Sequence, residues 1–231
     1  MFRISREELA LSAVALAAAG VSPNLFWIAQ GGYFKLSTLA VWVLIPSVIL
    51  LLVVLAVAAK RQQRRLVNRM VAGGVAGGLA TIALEIVRVT GFHLGQMPGS
   101  MPQLAGVLLL DQFMVGPTVW SNIAGWTYHY WNGIAFGLIF AVVFGRKPLW
   151  VALGYGVFMA IGFLVSPAVT ALGVGFMGKN MPGMPVTVVL AHLAYATTLW
   201  LLVRRWVREP EWILGGGGRS DVDRREGAGQ T

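Results

Sequence analysis

Apolar residues in this chain are gathered into long stretches separated by short polar segments. Six stretches approach the ~20 residues that an α-helix needs to cross the hydrocarbon core of a bilayer. We therefore predict an all-α integral membrane protein with about six transmembrane helices. The predicted spans are Leu9 to Ala29, Leu39 to Ala59, Met70 to Gly91, Val119 to Gly145, Leu149 to Phe176 and Met184 to Val207.

Two other segments do not fit a membrane span. Leu104 to Gly116 is apolar but too short to cross, and Asp111 within it would be costly in lipid. We predict a short interfacial or re-entrant helix there, on the outer side. Residues 215–231 are rich in glycine and polar side chains, which predicts a disordered cytoplasmic tail after a single transmembrane domain of residues 1–214.

Basic residues indicate how the predicted helices are oriented. If all six stretches cross, four basic clusters fall on one side, and only Lys35 and Lys179 fall on the other. The clusters are Arg3 with Arg6, then Lys60, Arg61, Arg64, Arg65 and Arg69, then Arg146 with Lys147, then Arg204, Arg205 and Arg208. Because cytoplasmic loops carry the excess of Lys and Arg, both termini are predicted to be cytoplasmic, in a plasma (bacterial inner) membrane.

The N-terminal stretch has a second interpretation. A basic start followed by the apolar segment Leu9–Val21 is also typical of a secretory signal peptide. Glu7 and Glu8 interrupt the basic start, and the aromatic pair Phe26 and Trp27 is typical of an interfacial anchor. We therefore expect an uncleaved first helix.

Composition agrees with a membrane protein. The chain is 57% hydrophobic and only 12% charged, whereas soluble domains carry about 25% charged residues. The net charge of +9 does not predict nucleic-acid binding, because no basic face alternates with aromatic residues. The chain has no cysteine, so His, Met, Asp and Glu are the side chains left to bind a metal ion.

Two similar segments indicate an internal repeat. Residues 91–102 are Gly-Phe-His-Leu-Gly-Gln-Met-Pro-Gly-Ser-Met-Pro, and residues 175–185 are Gly-Phe-Met-Gly-Lys-Asn-Met-Pro-Gly-Met-Pro. Both follow a predicted outward helix and precede a helix that returns inward and carries a histidine, His129 or His192. This pattern predicts parallel repeat units 70–145 and 149–208, as in some transporters, unless the shared residues are only common helix-ending ones.

Few polar side chains lie within the predicted spans, and such residues usually face an interior or a cavity. They are Glu85, Arg88, His129, Asn132 and His192. Glu85 and Arg88 are three residues apart and can pair on one helix face. Either this pair only neutralises itself, or Glu85 joins His129 and His192 at one depth in a shared polar site.

The predicted outer loops are rich in methionine. Imidazoles suit Zn, Cu and Fe, and thioethers suit Cu(I), so these residues together with Glu85, His129 and His192 form a candidate transition-metal site, most plausibly for copper. The loop candidates are His93, Met97, Met101, Met177, Met181 and Met184. The alternative is that these methionines are ordinary apolar packing residues.

These features favour a membrane protein that binds or translocates a small ligand, most plausibly a transition-metal ion, through an outward-facing site. A haem b electron carrier is an alternative, because two imidazoles on neighbouring helices can ligate haem iron. A non-catalytic scaffold, or a subunit of a larger complex, is another, with the bilayer and a second copy or membrane partner as its contacts. No Ser-His-Asp set, HExxH or paired-acid motif supports an enzyme.

Overall fold

A computed structural model describes residues 5–208 of the chain. Within these residues the chain is helical, no β-strand is formed, and four helices are long and apolar enough to cross a membrane. The α-helices, in chain order, are α1 Arg6–Gln30, α2 Leu36–Lys60, α3 Arg64–His93, α4 Met101–Leu109, α5 Val119–Val143, α6 Leu149–Leu164, α7 Pro167–Ala171 and α8 Gly183–Trp206. The predicted tail, residues 215–231, lies outside the described residues.

The four helices that satisfy both length and apolarity are α1, α2, α3 and α8. Helix α5 is as long as α1, with 25 residues, but it carries polar side chains such as His129 and Asn132. Helix α6 is apolar but has only 16 residues. On α2, large apolar side chains are exposed, including Trp42 at 76% and Leu52 at 60%, which suits contact with lipid tails.

The predicted segment Leu149 to Phe176 is not one continuous helix, because α6 ends at Leu164. Ser166 has extended backbone angles, φ −68° and ψ 149°, and Pro167 begins the short helix α7. Proline disfavours helical angles in the residue before it and lacks an N–H to donate, so the helix breaks completely at this point.

Two other predicted boundaries are also corrected. Helix α3 begins at Arg64 rather than Met70, so the connection after α2 is only residues 61–63, and Arg65 and Arg69 lie on the helix. Helix α4 runs from Met101 rather than Leu104 and ends at Leu109. Charged residues are compatible with a helix that extends beyond the hydrocarbon region, where water solvates their side chains.

Helix α3 lies at the centre of the bundle and packs along both α5 and α8. Its contact with α5 is made through glycines four residues apart, which are Gly73 and Gly77 on α3 and Gly133 and Gly137 on α5. A Cβ added to Gly73 would lie 2.6 Å from the carbonyl oxygen of Gly137, and one added to Gly137 would lie 2.5 Å from the Cα of Gly77. Only hydrogen at these positions allows the two backbones to approach so closely.

The short helix α4 is packed onto the start of α5. A Cβ on either Gly106 or Gly125 would collide with a backbone carbonyl of the other helix. The start of α5 is fixed by a capping box, in which Thr118 N–H donates to Ser121 Oγ at 2.8 Å and Ser121 N–H donates to Thr118 Oγ1 at 3.1 Å. The close approach at Gly106 and Gly125 holds α4 beside the segment of α5 that carries His129.

The basic clusters of different helices lie at one end of the bundle. Arg65 of α3 pairs with Glu8 of α1 at 2.8 Å. Asn68 of α3 donates to the carbonyl of Trp206, at the end of α8, at 3.2 Å. At the opposite end, Lys35 pairs with Asp111 at 2.7 Å.

Candidate functional site

A cavity of about 520 Å³ lies towards the end of the bundle opposite the basic clusters. Its walls come from α1, α3, α4, α5, α6 and α8, together with the segments that join them. The lining is mainly aromatic and aliphatic, with a few polar groups, as is usual for sites that bind small molecules. The polar lining residues are Asn24, Thr81, Arg88, Tyr128, His129, Asn132, Ser166, Thr187, His192 and Tyr195.

An ion pair within α3 stands in the wall of this cavity. Arg88 Nε lies 2.8 Å and 2.9 Å from the two carboxylate oxygens of Glu85, and Arg88 Nη2 donates to Glu85 Oε2 at 2.6 Å. Both side chains are only 9% exposed. The three-residue spacing places them on one helix face, and hydrogen bonds to both carboxylate oxygens offset part of the cost of burying the two charges.

His129 of α5 joins this pair from the neighbouring helix. Its Nε2 lies 2.9 Å from Glu85 Oε1, although the angle is unsuited to a well-directed hydrogen bond. The imidazole also packs edge to face against Trp126, with ring centroids 5.9 Å apart. Glu85 therefore has a guanidinium on one side and an imidazole on the other, which links α3 to α5 inside the bundle.

His192 of α8 lines the same cavity. Its Nδ1 lies 2.8 Å from the carbonyl oxygen of Val188, one turn earlier. Because a carbonyl only accepts, this contact assigns the proton to Nδ1, and Nε2 of the neutral ring carries a lone pair. Nε2 makes no hydrogen bond with the described residues, so it is available to a ligand in the cavity.

Two tyrosine hydroxyls next to the cavity donate hydrogen bonds to backbone carbonyls of neighbouring helices. Tyr128 of α5 donates to the carbonyl of Ser22 in α1 at 2.7 Å, and Ser22 Oγ donates to Asn132 at 2.6 Å. Tyr195 of α8 donates to the carbonyl of Gly133 in α5 at 2.6 Å. These bonds tie α1 and α8 to α5, and so hold three walls of the cavity in register.

The predicted polar site is therefore assembled in part. Glu85 and His129 are in contact and His192 shares their cavity, but the described residues contain no group of three or more His, Asp or Glu side chains placed to hold a metal ion. Arg88 contacts both oxygens of Glu85, so a cation at this carboxylate would lie close to a guanidinium, whose like charge opposes its binding. Metal binding by Glu85, His129 and His192 stays a prediction.

The predicted loop methionines are brought together in part. Met97 and Met184 are buried in one apolar cluster, and Met181 is packed against it. Met97 and Met101 line the cavity, and Met177 is 40% exposed. His93, at the end of α3, is exposed and has its ring 5.8 Å from that of Phe92.

The two Met-Pro-Gly segments lie side by side. Thr187 donates to Gln96 Oε1 at 2.8 Å, and a Cβ on Gly183 would meet the side chain of Gln96 at 2.6 Å. The helices that precede the segments differ, since α3 is continuous over 30 residues while α6 is broken at Ser166. An internal repeat accordingly stays a prediction.

Two contributors to the cavity were not singled out by sequence analysis. Arg88 was considered only as the partner of Glu85, yet it lines the cavity. Ser166 is 1% exposed, and its hydroxyl has no hydrogen-bond partner among the described residues. The signal for Ser166 was present in the sequence, because a residue before proline usually leaves the helical conformation and can direct its side chain into a gap between helices.

Comparisons with known proteins give no relative for this chain: no protein-family model, no curated protein and no solved structure matches it.

Proposed function

We propose that this chain is a membrane-embedded binding protein that takes up a small amphipathic molecule in its cavity. The observation that carries the proposal is the cavity of about 520 Å³, which combines a largely apolar wall with the buried Glu85–Arg88–His129 cluster. Its volume lies within the range of ~300–1,000 Å³ that is typical of small-molecule sites. An apolar wall offers burial to a hydrophobic body, and the polar groups orient a polar head.

We further propose that the chain crosses the cytoplasmic membrane six times, with both termini in the cytoplasm. In addition to the four long apolar helices, α5 and the α6–α7 segment would then cross. The contacts Arg65–Glu8 and Asn68–Trp206 support this topology, because they bring basic ends of α3 and α8 together with the start of α1. The cavity would lie in the outer half of the membrane.

Filling the cavity tests the proposed function. Gly162 of α6 lines the cavity, and a Cβ built on it meets no atom within 4 Å. We expect Gly162→Leu to fold normally and to lose the small molecules that co-purify with the protein, as detected by solvent extraction and mass spectrometry. Gly154 lies on the same helix, is exposed and has an equally open Cβ position, but it does not line the cavity. Gly154→Leu is therefore the matched control.

The proposal is overturned if Gly162→Leu and Gly154→Leu retain the same bound molecules as the unsubstituted protein. It is equally overturned if the unsubstituted protein, purified in mild detergent, yields no extractable small molecule and binds none of a set of added amphiphiles. Normal folding of both variants is checked by size-exclusion chromatography and thermal unfolding.

Haem b is a second candidate ligand, favoured by the state of His192. A histidine that donates Nδ1–H to a backbone carbonyl presents Nε2 as a metal ligand, an arrangement common around bound metals. The cavity would place aromatic side chains around the macrocycle. A Soret band in the purified protein that disappears in His192→Ala would support haem binding. Haem binding would be refuted if the purified protein is colourless and does not change the absorption spectrum of haem added to it. Elemental analysis of the same sample tests the copper prediction.

A further inference from the structure

The cavity wall carries basic groups but no acid. Arg88, His129 and His192 line it, whereas no Asp or Glu does among the described residues. Glu85 stands behind Arg88 and His129, outside the lining. A ligand in the cavity therefore meets the guanidinium of Arg88, whose N–H donors suit a negatively charged head.

Arg88 has donors to spare. Its contacts with Glu85 use Nε and Nη2, while Nη1 makes no hydrogen bond with the described residues. The side chain is 91% buried, since its exposed fraction is 9%. Because Arg88 lines the cavity, Nη1 can donate to an acceptor held there. The buried hydroxyl of Ser166 has no hydrogen-bond partner among the described residues and lines the same space.

The remaining lining is suited to a hydrocarbon tail. Phe26, Trp27, Phe136, Phe158 and Phe163 contribute aromatic surface. A bare inorganic anion would leave this apolar surface without contacts, whereas an alkyl chain would cover it, and burial of apolar area is favourable. The cavity thus matches a molecule with one charged end and one apolar end.

In the proposed topology the cavity would open towards lipid. Phe158 and Trp27 line it and are also 69% and 37% exposed. Phe158 lies nine residues after Leu149, the first residue of α6, or about 14 Å along the axis at 1.5 Å per residue. This is close to half of the ~30 Å hydrocarbon core. Helix α1 packs mainly on α2 and α5, and α6 mainly on α8, so α1 and α6 flank the opening without packing extensively on each other.

We infer that the cavity binds an amphiphile with a single anionic headgroup, a carboxylate or a phosphate, which enters from the bilayer between α1 and α6 and places its head at Arg88. This inference rests on the proposed function and specifies its ligand class. The apolar tail lies along Phe158 and Trp27, and the head receives N–H donors from Arg88 Nη1. The ligand therefore reaches the site through the membrane rather than from water.

The test uses the full chain in nanodiscs of phosphatidylcholine, with a diazirine-labelled dodecanoic acid as photo-crosslinker. We expect crosslinks on the peptides that hold Trp27 or Phe158. Dodecanoate and dodecyl phosphate should compete at least tenfold better than dodecanol, and inorganic phosphate should not compete. This comparison of probes is made on the unsubstituted protein, so it does not depend on the folding of any variant.

A matched pair of double variants tests the role of Arg88. Glu85→Gln with Arg88→Gln removes the ion pair in the cavity wall, and we expect the affinity for dodecanoate to fall at least tenfold, with dodecanol unaffected. Glu8→Gln with Arg65→Gln removes an ion pair of similar burial at the opposite end, with side chains 12% and 9% exposed. This control should leave dodecanoate binding unchanged.

The possible failures are distinct. Equal competition by dodecanol and dodecanoate overturns the anionic head and leaves the proposed binding of an amphiphile intact. Competition by inorganic phosphate as strong as that by dodecyl phosphate overturns entry from the membrane. Absence of cavity crosslinks by the labelled dodecanoic acid overturns this inference, and absence of any bound amphiphile in the purified protein overturns the proposed function as well.

Discussion

The hydroxyl of Tyr195 and the backbone carbonyl of Gly133 are joined by a hydrogen bond of 2.6 Å. Tyr195 belongs to α8 and Gly133 to α5, and Gly133 is also the point at which α5 meets Thr81 of α3. Three helices are therefore fixed relative to one another beside the cavity. Since Tyr195 is only 2% exposed, its hydroxyl depends on this acceptor.

Removal of that hydroxyl should loosen α8. We expect Tyr195→Phe to lower the stability of the bundle by about 1 kcal/mol, because an interhelical hydrogen bond in a membrane protein contributes about that much. The measurement is reversible unfolding in mixed micelles. Tyr130→Phe is the control, since the hydroxyl of Tyr130 makes no hydrogen bond with the described residues, and an equal loss in both variants would contradict the prediction.

Replacement of two adjacent glycines on α3 by alanine should lower the stability of the protein to very different extents. A Cβ on Gly77 would collide with the backbone of α5, where the Cα of Gly137 is 2.9 Å away. A Cβ on Gly78 would instead make ordinary contact with Ile134 at 3.4 Å and 3.9 Å. We expect Gly77→Ala to cost roughly 1–3 kcal/mol, in line with overpacking, and Gly78→Ala to cost much less.

Thermal unfolding of the two alanine variants in the same detergent provides the comparison. If Gly78→Ala is as destabilising as Gly77→Ala, then α3 does not present Gly77 to α5 in the way described.

The Glu85–Arg88 pair should behave as a unit in unfolding. Either single substitution, Glu85→Gln or Arg88→Gln, leaves a buried charge without its partner, which typically costs ~3–5 kcal/mol. The double substitution removes both charges and should be less destabilising than the sum of the two. A double-mutant cycle measured by unfolding gives this difference directly, and additive effects would show that the pair is not coupled.

The proposed topology can be tested by labelling, because the chain has no native cysteine. Lys179 and Arg146 are both exposed and would lie on opposite sides of the membrane. We expect a membrane-impermeant maleimide to label Lys179→Cys in intact cells and Arg146→Cys only after permeabilisation. Labelling of both from the same side would contradict six spans.

The sequence could not fully predict which side chains the two histidines contact. Helical spacing placed Glu85 and Arg88 on one face, because 3.6 residues per turn relates near neighbours whatever the surrounding fold. The contact between His129 and Glu85 depends on how far α5 is rotated and shifted against α3. The glycine contacts at Gly77 and Gly137 set that rotation, and they exist only once the two helices are packed.

Sequence alone determined the helical class and the location of the long apolar helices, because both follow from the order of residues along a regular helix. The tertiary structure decided which groups share the cavity. It brought Arg88 and His192 into one cavity, buried Met97 and Met184 in apolar packing, and ended α6 before Ser166. The physical reason is that backbone periodicity is local, whereas the depth and facing of each side chain depend on contacts between helices distant in the chain.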